Sequence, residues 1–168
     1  MRNTTVARLA IVELDKNELN FSAGHFTIFS ATERENLHGH NYGVNVALNV
    51  ALNDNGMAFD YRVYKNKLMA LCQQLDRRFL LPAHSKYLRL EEIDDMIYAH
   101  FNKERIPFLK RDVTILPVTN VTIEELSNWF LQKLILDEIE LKRHKIQGIT
   151  VKVFNGPGQS GATRWGKV

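Results

Sequence analysis

The sequence predicts an α+β protein, with antiparallel strands first, then a helix, an irregular stretch, a second helix and a closing strand. Three observations carry that reading. Val44, Val46, Leu48 and Val50 alternate with Asn45, Ala47 and Asn49, a period of two that buries one face of a sheet. Leu68, Leu71, Cys72 and Leu75 stand at i, i+3, i+4 and i+7, the spacing of a helical stripe. Ile149, Val151 and Val153 alternate again before the turn Asn155-Gly156-Pro157-Gly158.

Taken in order, residues 5–14 and 19–29 are rich in β-branched and aromatic side chains and flank the polar Asp15-Lys16-Asn17, the pattern of a hairpin. A strand over 42–52 ends at the turn signal Asn53-Asp54-Asn55-Gly56, and a helix over 61–76 comes next. Cys72 lies on that helix's apolar stripe and reads as a packing thiol rather than a nucleophile. Residues 86–118 carry the weakest pattern: Leu88 and Leu90 suit a short strand, and Pro107 and Pro117 interrupt the remainder of the stretch. Thr122 and Glu125 have capping-box spacing, and Leu126, Trp129, Phe130 and Leu134 continue at helical intervals, which predicts a helix from 122 to about 141. Ile146 to Phe154 forms the last strand.

A chain of 168 residues is large enough to bury roughly 70% of the surface its unfolded form exposes. It needs no disulfide staples, and its lone Cys72 cannot form one within the chain. With no repeat or linker composition, residues 1–168 read as one domain. No apolar run approaches the roughly 20 residues that span a bilayer and no charged-then-apolar leader opens the sequence, so a cytoplasmic protein without a membrane partner is expected. The net charge is +3, but Lys and Arg are scattered rather than gathered in a stripe. That makes nucleic acid a weak reading, and a small anionic molecule suits this charge balance as well as a polynucleotide does.

The chemistry gathers on histidine. In extended chain, residues two apart point to the same side, so His38 and His40 of His38-Gly39-His40 can face one ion. The alternative is two half-exposed histidines at a loop end. His25, behind the small residues Ser22-Ala23-Gly24, offers a third ligand. Zinc held by three neutral histidines keeps an open fourth position and suits Lewis-acid catalysis, whereas structural zinc closes all four and favours thiolates.

Several ordered segments resemble the 6-pyruvoyl-tetrahydropterin and 6-carboxy-tetrahydropterin synthase family. Phe21-Ser22-Ala23-Gly24-His25 and Leu37-His38-Gly39-His40-Asn41-Tyr42 are similar to its two zinc motifs. Gly56-Met57-Ala58-Phe59-Asp60-Tyr61 resembles its turn into the first helix, and Leu75-Asp76-Arg77-Arg78-Phe79-Leu80 its Asp-His segment. Thr122-Ile123-Glu124 is similar to its pterin anchor, and Gly156-Pro157-Gly158-Gln159-Ser160 to its C-terminal turn. The resemblance implies the tunnelling fold, a four-stranded antiparallel sheet with two helices on one face. It also implies trimers closing a barrel, two trimers stacked as a hexamer, and active sites between subunits. It further implies Zn2+ on His25, His38 and His40, a reduced pterin as substrate, and Glu124, with Thr122 beside it, accepting the pterin's amino and ring N–H groups. Glu124 also reads as a first-turn acid at a positive helix end.

Three positions depart from the family's pattern. Arg34 stands where the catalytic cysteine is expected, Arg77 where the histidine after Asp76 is expected, and Asn155 where a glutamate near the last strand is expected. An arginine cannot accept a proton at neutral pH. Glu35 offers a replacement base, because Glu35-Asn36-Leu37-His38-Gly39-His40 looks like a branch in which glutamate replaces the cysteine and the product is 6-hydroxymethyl-dihydropterin. A solvated acid in the run Glu33-Arg34-Glu35 is the other reading. Asp76 is a second base or an ion-pair partner of its arginine neighbours, and His84 is a loop histidine or a stand-in for the missing one. The implied activity is a zinc-dependent lyase acting on the side chain of 7,8-dihydroneopterin triphosphate or a related reduced pterin. A pterin-binding paralogue without turnover, or with altered specificity, is the alternative.

Overall fold

The computed structural model describes residues 8–15 and 17–167. The predicted alternation appears as β3 (His38–Ala51), whose Tyr42, Val44, Val46, Leu48 and Val50 are buried on one face. On one flank β3 pairs antiparallel with β9 (Ile146–Phe154), which pairs in turn with β10 (Ser160–Gly166). On the other flank lie β1 (Leu9–Leu14) and β2 (Asn20–His25), both antiparallel to β3.

This corrects the hairpin reading of 5–14 and 19–29, of which residues 5–7 and Lys16 lie outside the described residues. β1 and β2 do not pair with each other; they lie end to end along β3. β1 faces 46–51 and β2 faces 38–43, so only Val44 and Asn45 of β3 lie between the two paired stretches. The chain therefore runs on along β3 from β1 to β2 instead of reversing. Counted that way, β10, β9, β3 and β1/β2 form the four-stranded antiparallel sheet of a tunnelling fold. β4 (Arg78–Pro82) and β8 (Val113–Leu116) extend it in parallel beyond β2, making seven strands.

Two helices cover the buried face. α1 (Arg62–Leu75) contributes Tyr64, Leu68, Cys72 and Leu75, and α2 (Ile123–Ile135) contributes Leu126, Trp129, Phe130 and Leu134, packed on the inward side chains of β3 and β9. The capping box is half made. The Thr122 hydroxyl accepts the Glu125 N–H at 3.3 Å, but the Glu125 carboxylate accepts from Thr119 N–H at 3.0 Å instead of returning to Thr122. The helix expected to reach 141 breaks at Leu136. There Asp137 caps a short α3 (Glu138–Arg143) by accepting the Glu140 N–H at 2.9 Å, because an aspartate side chain competes with the helical ladder for backbone donors. β10, which the sequence reading ended short of, carries Gly161 so close to the start of α2 that a Cβ there would lie 2.7 Å from the Glu124 nitrogen.

The poorly patterned stretch 86–118 holds a second sheet, the meander β5 (Leu88–Ile93), β6 (Met96–Phe101) and β7 (Glu104–Leu109). Two-residue turns join them, with Asp94 and Asn102 in the left-handed region. Pro107 is tolerated because β7 is an edge strand, paired only with β6. The meander encloses its own core of Phe26, Ile28, Leu81, Leu88, Ile97, Ala99 and Phe101. Adjacent residues of β4 thus serve different cores, Leu80 the main one and Leu81 this one. Among the described residues no helix is long and apolar enough to cross a membrane.

Cys72 is buried in the main core, and burial pushes its thiol up to about 12, with Asp76 adding to the rise. The fold therefore favours the neutral thiol, and stability from this residue is lost as pH rises above about 9, where the unfolded chain ionises first. Native protein at pH 8 is expected to resist a thiol-specific chromogenic reagent for hours and to release one equivalent of signal on denaturation. Rapid reaction in the native state would contradict the packing role.

Candidate metal centre

The β2–β3 ladder places His25 directly opposite His38, with His40 opposite Ala23. His38 and His40 share the side of β3 that carries Tyr42, as the period of two requires, so all three rings stand on one face at the end of the sheet. Their ligating nitrogens lie within 4.8 Å of one another. Ring centroids are 4.5 Å apart for His25 and His38, 4.8 Å for His38 and His40, and 5.2 Å for His25 and His40. Tyr42 forms the floor, edge-on to His25 and His40 and itself stacked on Phe21 at 4.9 Å.

Backbone carbonyls set the tautomers. His25 Nδ1–H donates to the Val121 carbonyl and His38 Nδ1–H to that of Asn36, each at 2.8 Å, which leaves both Nε2 lone pairs free. His25 is 5% exposed, and its buried Nε2 has no hydrogen-bond partner among the described residues. His38 Nε2 and His40 Nε2 stand 3.0 Å apart, close to the roughly 3.3 Å that tetrahedral ligands at a zinc–nitrogen distance of about 2.0 Å require. An orphaned buried acceptor beside two crowded imidazole nitrogens fits a divalent cation. The electrostatics agree: burial lowers the His25 and His40 basicities, and His38 lowers both further, which favours the neutral, ligating form.

Glu35 joins this centre. A loop from Phe26 to Asn36 folds back on itself, with Glu35 N–H donating to the Thr27 carbonyl and the Thr27 N–H to the Glu35 carboxylate, both at 2.9 Å. That carboxylate comes within 3.8 Å of His38 Nε2. Partial burial alone would raise its pKa, but the Thr27 bonds and the neighbouring His38 and His25 together hold it below the usual carboxylate range. Arg34 turns the other way, toward the meander, and leaves the space before the histidines to Glu35.

Among the described residues no hydrogen bond or ion pair joins the other sequence-predicted residues to the triad. Asp76 accepts the Ser22 N–H at 2.8 Å while Arg77, in the left-handed region at φ 57°, donates its N–H to the Ser22 carbonyl at 2.7 Å. The Arg77 side chain is 90% exposed and pairs with Asp76 at 3.4 Å. It lines an open cavity of about 490 Å³ together with His40, Asn41 and Arg78. His84 lies beyond the far end of β4 from Asp76, its N–H bound to the Val118 carbonyl, so the whole strand separates the two. Thr122 caps α2, and Glu124 is on its first turn; no hydrogen bond or ion pair of the Glu124 carboxylate occurs among the described residues. Asn155 comes directly after β9, with a buried Oδ1 that lacks a partner among the described residues.

Sequence reasoning missed Asn120. Its side chain accepts the Ile28 N–H at 3.1 Å and donates to the Ile28 carbonyl at 2.8 Å, clamping the segment before α2 to the stretch just after His25. One residue later Val121 supplies the carbonyl that orients His25. No local pattern marks such a clamp, because its partner lies 92 residues away.

A four-stranded antiparallel sheet with helices on one face and three imidazoles gathered at its end defines the tunnelling-fold class. The 6-pyruvoyl tetrahydropterin synthase family model matches residues 14–164, and the chain belongs to that family. It is 28% identical over 148 residues to a protein of Methanocaldococcus jannaschii provisionally named 6-carboxy-5,6,7,8-tetrahydropterin synthase, covering 87% of this chain and 90% of that protein. A Pyrococcus horikoshii protein with the same provisional name is 26% identical over 82% of this chain and 80% of its own length. The 6-pyruvoyl tetrahydropterin synthases of Plasmodium vivax and Plasmodium falciparum each superpose with a TM-score of 0.89 at 29% identity, covering 95% of this chain and 99% of theirs. Two further P. vivax structures carry a glutamate, named as a catalytic residue, replaced by alanine or by cysteine.

Purified protein is expected to carry one zinc per chain by elemental analysis. His25→Ala and His38→Ala should each weaken zinc binding more than about 100-fold in competition with a chromogenic chelator, beyond the loss typical of a supporting residue. Wild-type binding no tighter than that of the variants would refute the centre.

Proposed function

We propose that this chain is a zinc-dependent lyase acting on the side chain of 7,8-dihydroneopterin triphosphate or a closely related reduced pterin, with Glu35 as its base. The observation that carries the reading is the Glu35 carboxylate, 3.8 Å from His38 Nε2 and anchored by Thr27, at the mouth of three converging imidazoles. His25, His38 and His40 would hold the zinc. When bound it would supply Lewis acidity toward a side-chain oxygen.

The chain's own groups account for the rest. Glu35, ionised at neutral pH, accepts a proton from a side-chain hydroxyl or carbon, the task for which a carboxylate within hydrogen-bond reach of substrate is suited. The Thr27 N–H holds Oε2, the oxygen nearest His38, and so fixes the carboxylate at the mouth of the centre. Tyr42 and Phe21 form an apolar floor, and burial and Glu35 hold the Tyr42 phenol neutral. Glu124, on the first turn of α2, is suited to accept the pterin's N–H groups from a neighbouring subunit in a hexamer of stacked trimers. Asp76 is a second proton acceptor at that boundary, with Arg77 beside it.

The P. vivax synthase, whose named catalytic residue is a glutamate, supports assigning this work to Glu35 rather than to a thiol. That assignment favours cleavage to 6-hydroxymethyl-dihydropterin over formation of a pyruvoyl side chain.

Incubation of zinc-loaded protein with 7,8-dihydroneopterin triphosphate, followed by chromatography of the pterins, is expected to show conversion. Glu35→Gln should lower turnover about 100- to 10,000-fold, the range for loss of a general base, while retaining zinc. Tight pterin binding with no product over hours would instead establish a non-catalytic or altered-specificity pterin-binding protein.

A further inference from the structure

We propose that Arg34 is a positioning residue for Glu35, a strut that joins the loop carrying this carboxylate to the β5–β7 meander; the inference rests on Glu35 being the base. An arginine side chain is ordinarily exposed, but that of Arg34 is only 14% so. Its Nε donates to Glu104 Oε2 at 2.7 Å, one terminal nitrogen lies 2.5 Å from the same oxygen, and the other terminal nitrogen donates to the Glu35 carbonyl at 2.7 Å. The guanidinium lies over the rings of Phe26, 5.2 Å to the centroid, and Phe101, 5.8 Å.

These contacts link three places. Phe26 is next in the chain after the metal-centre residue His25, Phe101 ends β6, and Glu104 begins β7. Glu35 is held from the β2 side by Thr27 and from the meander side by Arg34. Without the guanidinium the loop can pivot about its Thr27 bonds, and misplacing a reacting group by 1 Å can cost about 100-fold in rate. A lysine cannot substitute fully, because one ammonium lacks the rigid fork that reaches the carboxylate and the carbonyl together. The arginine that stands where the family pattern has a cysteine is therefore part of what lets a glutamate take over.

The test uses the full chain carrying Arg34→Ala, Arg34→Lys or Glu104→Gln, with kinetics on 7,8-dihydroneopterin triphosphate, zinc content and amide hydrogen exchange as readouts. Arg34→Ala is expected to lower kcat about 10- to 100-fold with KM within about twofold. Zinc content should stay at the wild-type level, and amides of residues 27–35 should exchange at least about tenfold faster while those of α1 and β9 are unchanged. Glu104→Gln should move in the same direction by less, and Arg34→Lys should fall between wild type and Arg34→Ala. An Arg34→Ala protein whose kcat stays within about twofold of wild type overturns the proposal. So does exchange that accelerates equally in α1 and β9, which would mark mere support of the fold. Should Arg34→Ala fail to fold, Glu104→Gln decides, since Glu104 is half-exposed; unchanged kcat and loop exchange there overturn the idea. If Glu35→Gln retains full turnover, the functional reading fails instead, and the exchange data still report whether Arg34 holds the loop.

Discussion

The register of β2 against β3 is the constraint on which the site depends. His25 sits across from His38, and a slip of one residue would turn the whole inward set of β2, Phe21, Ala23 and His25, to the opposite face. The main core fixes that register, because Phe21 stacks on Tyr42 in the same ladder that aligns the histidines. Close backbone approach matters here too: a Cβ on Gly39 would meet the Ala23 carbonyl oxygen at 3.0 Å. Packing and ligand geometry are thus set by one hydrogen-bonded ladder.

Around that ladder the site is supported by backbone groups, one from a segment 96 residues away and the others from near neighbours in the chain. The carbonyl of Val121 orients His25, the carbonyl of Asn36 orients His38, and Thr27 anchors Glu35. Asn120 and Arg34 secure the segments that provide them. Such supports require little chain and keep the Nε2 atoms of His25 and His38 aimed into the centre, while burial is what holds His25 toward the neutral form.

How much of the fold and the site is legible in the sequence depends on how local each signal is. The strand at 146–154 and the helix at 62–75 rest on side-chain period alone, and both lie where the alternation and the stripe put them. The histidine set is legible because His38 and His40 share a face by geometry and the motif around His25 is specific. The polar break at 15–17 misleads because it suits a continuing strand and a reversal equally well, and only the pairing of β1 and β2 along β3 tells them apart. The helix from 122 stops early because Asp137 offers a cap in the middle of a plausible apolar pattern. The meander hides behind Pro107 and behind turns whose Asp94 and Asn102 carry no glycine. Arg34 stands out as a departure from the family pattern, but its contact with Glu104 spans 70 residues and no local pattern announces it.

The alternation within β4 has a consequence for how the protein comes apart. Leu80 and Leu81, neighbours in sequence, are both fully buried, yet one belongs to the helix-covered core and the other to the meander core. Fraying the meander would bare Leu81 and strain the strand that also pins β2 through Ala23 and Gly24. The small sheet and the large one therefore share a keystone, so heat should melt them in a single cooperative step rather than shed the small one first.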